Sequence, residues 1–198
     1  MQQFPSFSII TIVFKKEKEI QYFLDALLNQ NYAGKWEVII FDDKSPDNSF
    51  NVAHSFKPMY EKRGIGLTIV SNENNLGQCV CRNEGVKLAT GDIITIIDAD
   101  CIMDRTYLAH IAATFMKNDC DVTIGPLNIE SNTEDVNIVI QRCKELKTVR
   151  EKAIMQDSVN RRSFVNCVTR NFSILKSFII EDLFDVDFSY TASTLGYG

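Results

Sequence analysis

Two acidic clusters carry the residue types that could do chemistry. Asp98-Ala99-Asp100 sets carboxylates at i and i+2 directly after the apolar run Ile93 to Ile97, and Asp42-Asp43 follows a similar run from Trp36 to Phe41. Two carboxylates just past a strand can reach one hard cation where the backbone turns, leaving positions for phosphate oxygens and water. The competing reading is that Asp98 and Asp100 only cap the helix that follows, and a lone DxD is a weak signal by itself. Cys79, Cys81, Cys101, Cys120, Cys143 and Cys167 form no CxxC pair and no zinc-like quartet, and His54 and His110 lie far from them in sequence. They read as reduced, mostly buried thiols.

The elements that must position these carboxylates follow from pattern. Phe7 to Phe14, Trp36 to Phe41, Leu67 to Ser71, Asp92 to Ile97 and Asp121 to Gly125 are short, apolar and rich in branched residues, which predicts strands covered on both faces. Between them lie helices. Ile20, Phe23, Leu24, Leu27 and Leu28 follow the i, i+3, i+4, i+7, i+8 spacing of an amphipathic helix over Glu17 to Asn29. Further helices are expected over about Asn48 to Lys62, Gln78 to Thr90, stopped by Gly91, and Arg105 to Asn118. Strands alternating with helices imply right-handed β-α-β units and an open, mostly parallel twisted sheet flanked by helices, an α/β fold. Beyond it a long helix over Glu134 to about Met155 and a strand over Phe164 to Thr169 are expected. In such sheets a ligand sits outside the carboxyl ends of the strands, which is where both acidic clusters fall.

Composition narrows the class. The 198 residues suit one domain, and 21 basic against 26 acidic residues give a net charge of −5 with no lysine and arginine strip. Nucleic-acid phosphate is therefore excluded as the main partner. No apolar run approaches the roughly 20 residues that span a bilayer, and the first residues do not read as a secretory leader. A cytoplasmic location is expected, with peripheral attachment at the inner face of a membrane as the variant of that reading.

Four segments then resemble one family in order and spacing. They are Ser8-Ile9-Ile10-Thr11-Ile12-Val13-Phe14; Glu37 to Asp47 with Asp42-Asp43-Lys44-Ser45; Asn75-Leu76-Gly77 with Arg82-Asn83; and Gly91-Asp92 leading to Asp98-Ala99-Asp100. Together they are similar to the family 2 glycosyltransferases of the GT-A fold, over about residues 7–198. The resemblance implies transfer of a sugar from a nucleotide diphosphate sugar, usually a UDP-sugar, to a hydroxyl of a glycan or lipid-linked saccharide, with inversion, helped by Mn2+ or Mg2+. It implies that Ile12 and Phe14 line a nucleobase pocket, that Asp42 or Asp43 accepts a hydrogen bond from the base, and that Arg82 helps hold the nucleotide. Asp98, beside Ala99, would contact ribose or metal and Asp100 would ligate the metal. On this reading residues 1–198 form one catalytic domain, with 1–125 the donor half and 126–198 an acceptor half.

The chain departs from the family pattern at several positions. The family commonly has Pro, Tyr and Asn where Ile12, Phe14 and Lys15 stand, and Gly where Lys44 stands; here both lysines read as solvated charges. The family's catalytic base is expected just past Gly198, which suggests a chain cut inside that motif, with Asp185 and Asp187 as weaker substitutes. Two other readings stay open. One is a module that binds nucleotide sugar or glycan without turnover, and the other is a DxD phosphotransferase, which the late position of the motif and the following Cys101-Ile102 disfavour.

Overall fold

The computed structural model describes residues 4–117, 121–124, 171–180 and 183–184. Branched side chains favour a pleated backbone, and Phe7–Val13 accordingly forms strand β1, buried along its whole length except at half-buried Ile12. Trp36–Asp42 (β2), Gly66–Ser71 (β3), Ile93–Ile97 (β4), Val122–Ile124 (β5) and Asn171–Leu175 (β6) complete a six-stranded sheet in the order β3-β2-β1-β4-β6-β5. β1 runs parallel to β2 and β4, and β2 parallel to β3, whereas β6 pairs antiparallel with β4. Register aligns Val13 with Asp42 and Asp42 with Ser71, so the carboxyl ends of three strands finish side by side. The strand order reverses between β1 and β4, the place where open α/β sheets leave a crevice for a ligand.

Helices cover the sheet. In α1, Glu19–Leu28, the buried residues are Ile20, Phe23, Leu24 and Leu27, the face predicted by the spacing. They join Ile9, Val13, Val38 and Ile40 in the main core, each full burial contributing about 1.5–3 kcal/mol. Tyr60 is sealed in the same cluster and donates its hydroxyl to the Leu24 carbonyl at 2.9 Å. Past α1, the Gln30 amide donates to the Asp104 carbonyl at 2.7 Å and its oxygen accepts from Leu108 N, which fixes the start of α5, Tyr107–Lys117.

One expectation is corrected and another is met with an unforeseen neighbour. The helix expected over 48–62 is two helices, α2 (Ser49–Ser55) and α3 (Lys57–Lys62), parted at Phe56, with a proline in the first turn of α3 that has no N–H to continue a longer helix. The strand over Asp121 to Gly125 is present as β5, yet β6 lies between it and β4. The helix expected over 134–155 and the strand over 164–169 lie outside the described residues, as do Asp185 and Asp187. By contacts the chain divides into one unit of Met1–Thr123 with Thr169–Gly198 and another of Ile124–Val168.

The amino edge of the sheet is held by a carboxylate. One oxygen of Glu37 accepts from Ser8 Oγ at 2.6 Å, Thr90 N at 2.7 Å and Thr90 Oγ1 at 2.7 Å, and Ser8 Oγ accepts from Gly91 N. Burial opposes ionisation of Glu37, but these donors outweigh it and hold its carboxyl below its ordinary value of 4.5. A depressed carboxylate stabilises the fold above its unfolded pKa, and the contribution is lost as pH falls through the folded value. Glu37→Gln should therefore cost about 1 kcal/mol at pH 7, the difference between charged and neutral hydrogen bonds. Urea titrations should show the gap closing below the ordinary carboxylate range. A cavity of about 580 Å3 lies at this edge, lined by residues that include Trp36, Glu37 and Gly91, at the end of the sheet opposite the acidic clusters.

Candidate functional site

At the carboxyl edge the loops after β1 and β2 are stitched together. Asp43 N donates to the Val13 carbonyl at 2.9 Å, Lys15 N to Ser45 Oγ at 3.2 Å and Lys16 N to Ser49 Oγ at 2.9 Å. Both loops turn through left-handed backbone, at Lys15 (φ 56°) and Lys44 (φ 61°). A side chain there costs roughly 1–2 kcal/mol, a strain that concentrates at functional loops. These are the two positions where the resembling family commonly carries Asn and Gly, residues that tolerate that conformation. The lysines are exposed, as expected, but the departures also concern backbone geometry. Lys44→Gly should raise unfolding stability by about 0.5–1 kcal/mol, the strain relieved less the chain entropy that glycine adds, read from the urea midpoint.

The paired aspartates divide their work. Asp43 is buried and holds the entry to helix α4, Gln78–Leu88: one oxygen accepts from Asn72 Nδ2 and Leu76 N, both at 2.8 Å, and the other from Gly77 N at 2.9 Å. A carboxylate there also complements the positive end of the α4 dipole. Asp42 accepts from Ser45 N and Ser71 Oγ through one oxygen, both at 3.3 Å, while its other oxygen is sealed from solvent with no hydrogen-bond partner. Burial, followed by the Asp43 charge, pushes the neighbouring Cys81 thiol up to about 12, so it stays protonated and is no nucleophile. Cys79 and Cys81 are buried and Cys101 is half-buried.

Across the crevice, Asp98 and Asp100 begin the loop that leaves β4. They do not open α5: Asp104 does, accepting from Thr106 N at 2.9 Å, which sets aside the capping role. Ala99 between them is buried. Arg82 reaches this loop from α4, held by a 2.7 Å bond to Gln78 Oε1, with a guanidinium nitrogen 3.9 Å from Asp98. It is 6% exposed, and its Nε has no partner. Its neighbour Asn83 exchanges two 2.8 Å bonds with the Phe184 backbone, and the Phe184 ring lies 5.7 Å from Arg82. Ile12 on β1 is half-buried, and Phe14, in the bend just past the strand, is exposed, with Lys15 Nζ 5.2 Å from its ring.

Sequence reading missed one charged partner. Lys16 Nζ donates to Asp100 Oδ2 at 2.8 Å, across 84 positions of chain. Only its place in a polar turn marked it beforehand. That hydrogen bond, with further attraction from Asp100, Glu19 and Asp98, raises its pKa in spite of partial burial.

Oxygen donors on a half-exposed edge suit a hard cation. Among the described residues no three Asp, Glu, His or Cys side chains gather as a metal cluster, so Asp98 and Asp100 would be its protein ligands at this loop. That donor set fits Mg2+ or Mn2+, which are commonly held by one or two carboxylates while phosphates and waters complete the shell.

The profile of Glycosyl transferase family 2 matches residues 8–179. The chain belongs to this family. Glycosyltransferase AglE of Haloferax volcanii is 24% identical over 180 residues, covering 90% of this chain and 55% of AglE. The mannosyltransferase PcManGT from Pyrobaculum calidifontis, solved with GDP-Man and Mn2+, aligns with a TM-score of 0.59 and 22% identity over 64% of this chain and 37% of that one. TarS 1-349 of S. aureus, solved with UDP-GlcNAc, aligns with a TM-score of 0.55 and 24% identity over 65% of this chain and 37% of TarS. The fold of this family 2 glycosyltransferase chain is therefore GT-A, as the motifs implied, and the chain spans little more than half of AglE. No helix among the described residues is long and apolar enough to cross a membrane.

Proposed function

We propose that this chain carries the donor site of an inverting glycosyltransferase that takes a UDP-sugar with Mn2+ or Mg2+ and glycosylates a hydroxyl of a glycan or lipid-linked saccharide. The observation that carries the reading is the pairing of Asp98 and Asp100 with two cations, Arg82 and Lys16, at the β1/β4 switch point of a family 2 fold. The solved neighbours are described as complexes with UDP-GlcNAc and with GDP-Man and Mn2+, which supports a nucleotide-sugar donor and a metal.

In this reading Ile12 and Phe14 flank the base. Asp42 or Asp43 accepts from it: both are buried where β2 ends, Asp43 in a carboxylate fixed by Asn72 and the backbone of Leu76 and Gly77, Asp42 with one oxygen left without a partner. Arg82 offers its positive charge to the nucleotide, and Asp98 reaches ribose or metal. The cation, when bound by Asp100, neutralises charge that develops on the departing diphosphate. As the acceptor oxygen bonds to the anomeric carbon, the bond from that carbon to the diphosphate oxygen breaks, and the acceptor proton passes to a carboxylate. That base is sought outside the described residues, where Asp185 and Asp187 lie.

Calorimetric titration with UDP, with and without Mn2+, tests the reading. Mn2+-dependent binding of UDP is expected. Absence of UDP binding under both conditions would contradict it, and a parallel GDP titration shows whether the base choice alone is at fault.

A further inference from the structure

The two carboxylates assigned to the cation already have positive partners supplied by the chain. Arg82 is buried and braced by Gln78, so it is a fixed neighbour of Asp98. Lys16 is different. Its backbone is pinned, because its N–H is bound to Ser49 Oγ at the start of α2 and left-handed Lys15 sets the preceding turn. Its head lies at the surface: the Lys16 side chain is 34% exposed and that of Asp100 44% exposed. An ammonium on a four-carbon stem can thus leave Asp100 without any shift of the main chain. Asp98 and Glu19 also attract Lys16.

A divalent cation and this ammonium would compete for the Asp100 carboxylate, whose Oδ2 Lys16 already holds. A cation arriving alone would have to displace Lys16 toward water. A nucleoside diphosphate arriving with it brings phosphate oxygens to the same crevice, and these can take up the displaced ammonium. We propose that Lys16 is a resident counter-ion of Asp100, released to the nucleotide diphosphate when the cation binds, so that metal and nucleotide bind cooperatively. The inference rests on the donor-site reading above. It makes Lys16 a positioning residue that sets the coupling between two ligands, and such coupling is reciprocal: whatever UDP adds to Mn2+ affinity, Mn2+ adds to UDP affinity.

The test is a set of calorimetric titrations on the 198-residue protein: Mn2+ alone, UDP alone, and UDP at saturating Mn2+. They are run on wild type, Lys16→Met and Lys18→Met. Lys16→Met should bind Mn2+ alone about 10-fold more tightly than wild type and lower the UDP–Mn2+ coupling by the same factor, a change within the 5–150-fold range usual for such coupling. Lys18→Met removes the same charge two positions on, at an exposed side chain that makes no cap bond to α1, and should leave both quantities within about twofold of wild type, which separates the ion pair from general electrostatics. Lys16→Gln, equally uncharged but polar, should repeat the Lys16→Met result if methionine disturbs the loop. Mn2+ affinity in both Lys16 variants equal to or below that of wild type, with wild-type UDP–Mn2+ binding intact, would overturn the proposal. Failure of wild type to bind UDP with Mn2+ would instead remove the donor-site reading on which it rests.

Discussion

Asp100→Asn is expected to lower UDP affinity at fixed Mn2+ by about 100-fold, at least the loss that follows from deleting a mere outer partner of a metal ligand. The substitution keeps the shape of the side chain and removes one of the two carboxylates at the β4 loop, where no third acidic, histidine or cysteine ligand gathers among the described residues. It also removes the negative charge that faces Lys16 at 2.8 Å, so the crevice gains net positive charge. Metal-independent nucleotide binding should consequently be preserved or slightly strengthened while the gain in affinity that Mn2+ gives disappears. Asp104→Asn is the matched control. That residue sits four positions on and serves the start of α5, so its loss should leave UDP binding intact. Equal losses in the two variants would show that loop integrity, rather than ligation at Asp100, was being measured.

Gly91→Ala should be the most damaging single methyl group in the described fold. A Cβ at Gly91 would lie 2.5 Å from the Phe7 carbonyl carbon and 2.6 Å from Ser8 N, main-chain atoms of a central strand that cannot step aside. Gly91 N also donates to Ser8 Oγ, and the strand it introduces pairs Phe7 with Ile93 in register. Relief would need β1 and β4 to part, so the cost is expected at about 3 kcal/mol or more, beyond ordinary overpacking. For a chain of this size that corresponds to a fall in Tm of roughly 6–12 °C. Gly64→Ala makes the contrast: nothing lies within 4 Å of its Cβ, and only its φ of +67° opposes a side chain. Its cost should be about 1 kcal/mol. Thermal unfolding of the two variants side by side checks the difference.

How far the fold was legible depends on how local its causes are. β1, β2, β3 and β4 were readable because branched apolar runs can pair in one way once helices of about ten residues separate them. The buried face of α1 followed from spacing alone. The break at Phe56 was also written in the sequence, since Pro58 cannot supply the N–H that a helix running through it requires, and the apolar pattern hid that signal. β6 was beyond reach. Asn171–Leu175 pairs antiparallel with β4 across about 78 residues, joined by Thr95 Oγ1 to Ser173 Oγ at 2.9 Å, and no local pattern encodes such a partner.

The site divides in the same way. The acidic clusters were legible because their position after strands is a local fact. The separate tasks of Asp42 and Asp43 were not, because they depend on which backbone N–H groups of the 72–77 loop arrive beside them. Lys16 escaped for the same reason, its partner being 84 residues away. Lys15 and Lys44 looked like surface charges, and they are exposed; that each sits in left-handed backbone was visible only in the φ angles.

The central claim is that nucleotide and cation meet at the carboxyl edge of the sheet, between the β1 and β4 loops. The most direct measurement is amide NMR of the 15N-labelled chain with UDP and Mn2+, with Mg2+ as the diamagnetic reference. Paramagnetic broadening should be strongest at Asp98 to Cys101 and extend to Phe14 through Glu17, while Glu37 and Gly66 at the opposite edge stay sharp. Broadening centred on the Glu37 cavity, with Asp98 to Cys101 unaffected, would contradict the account.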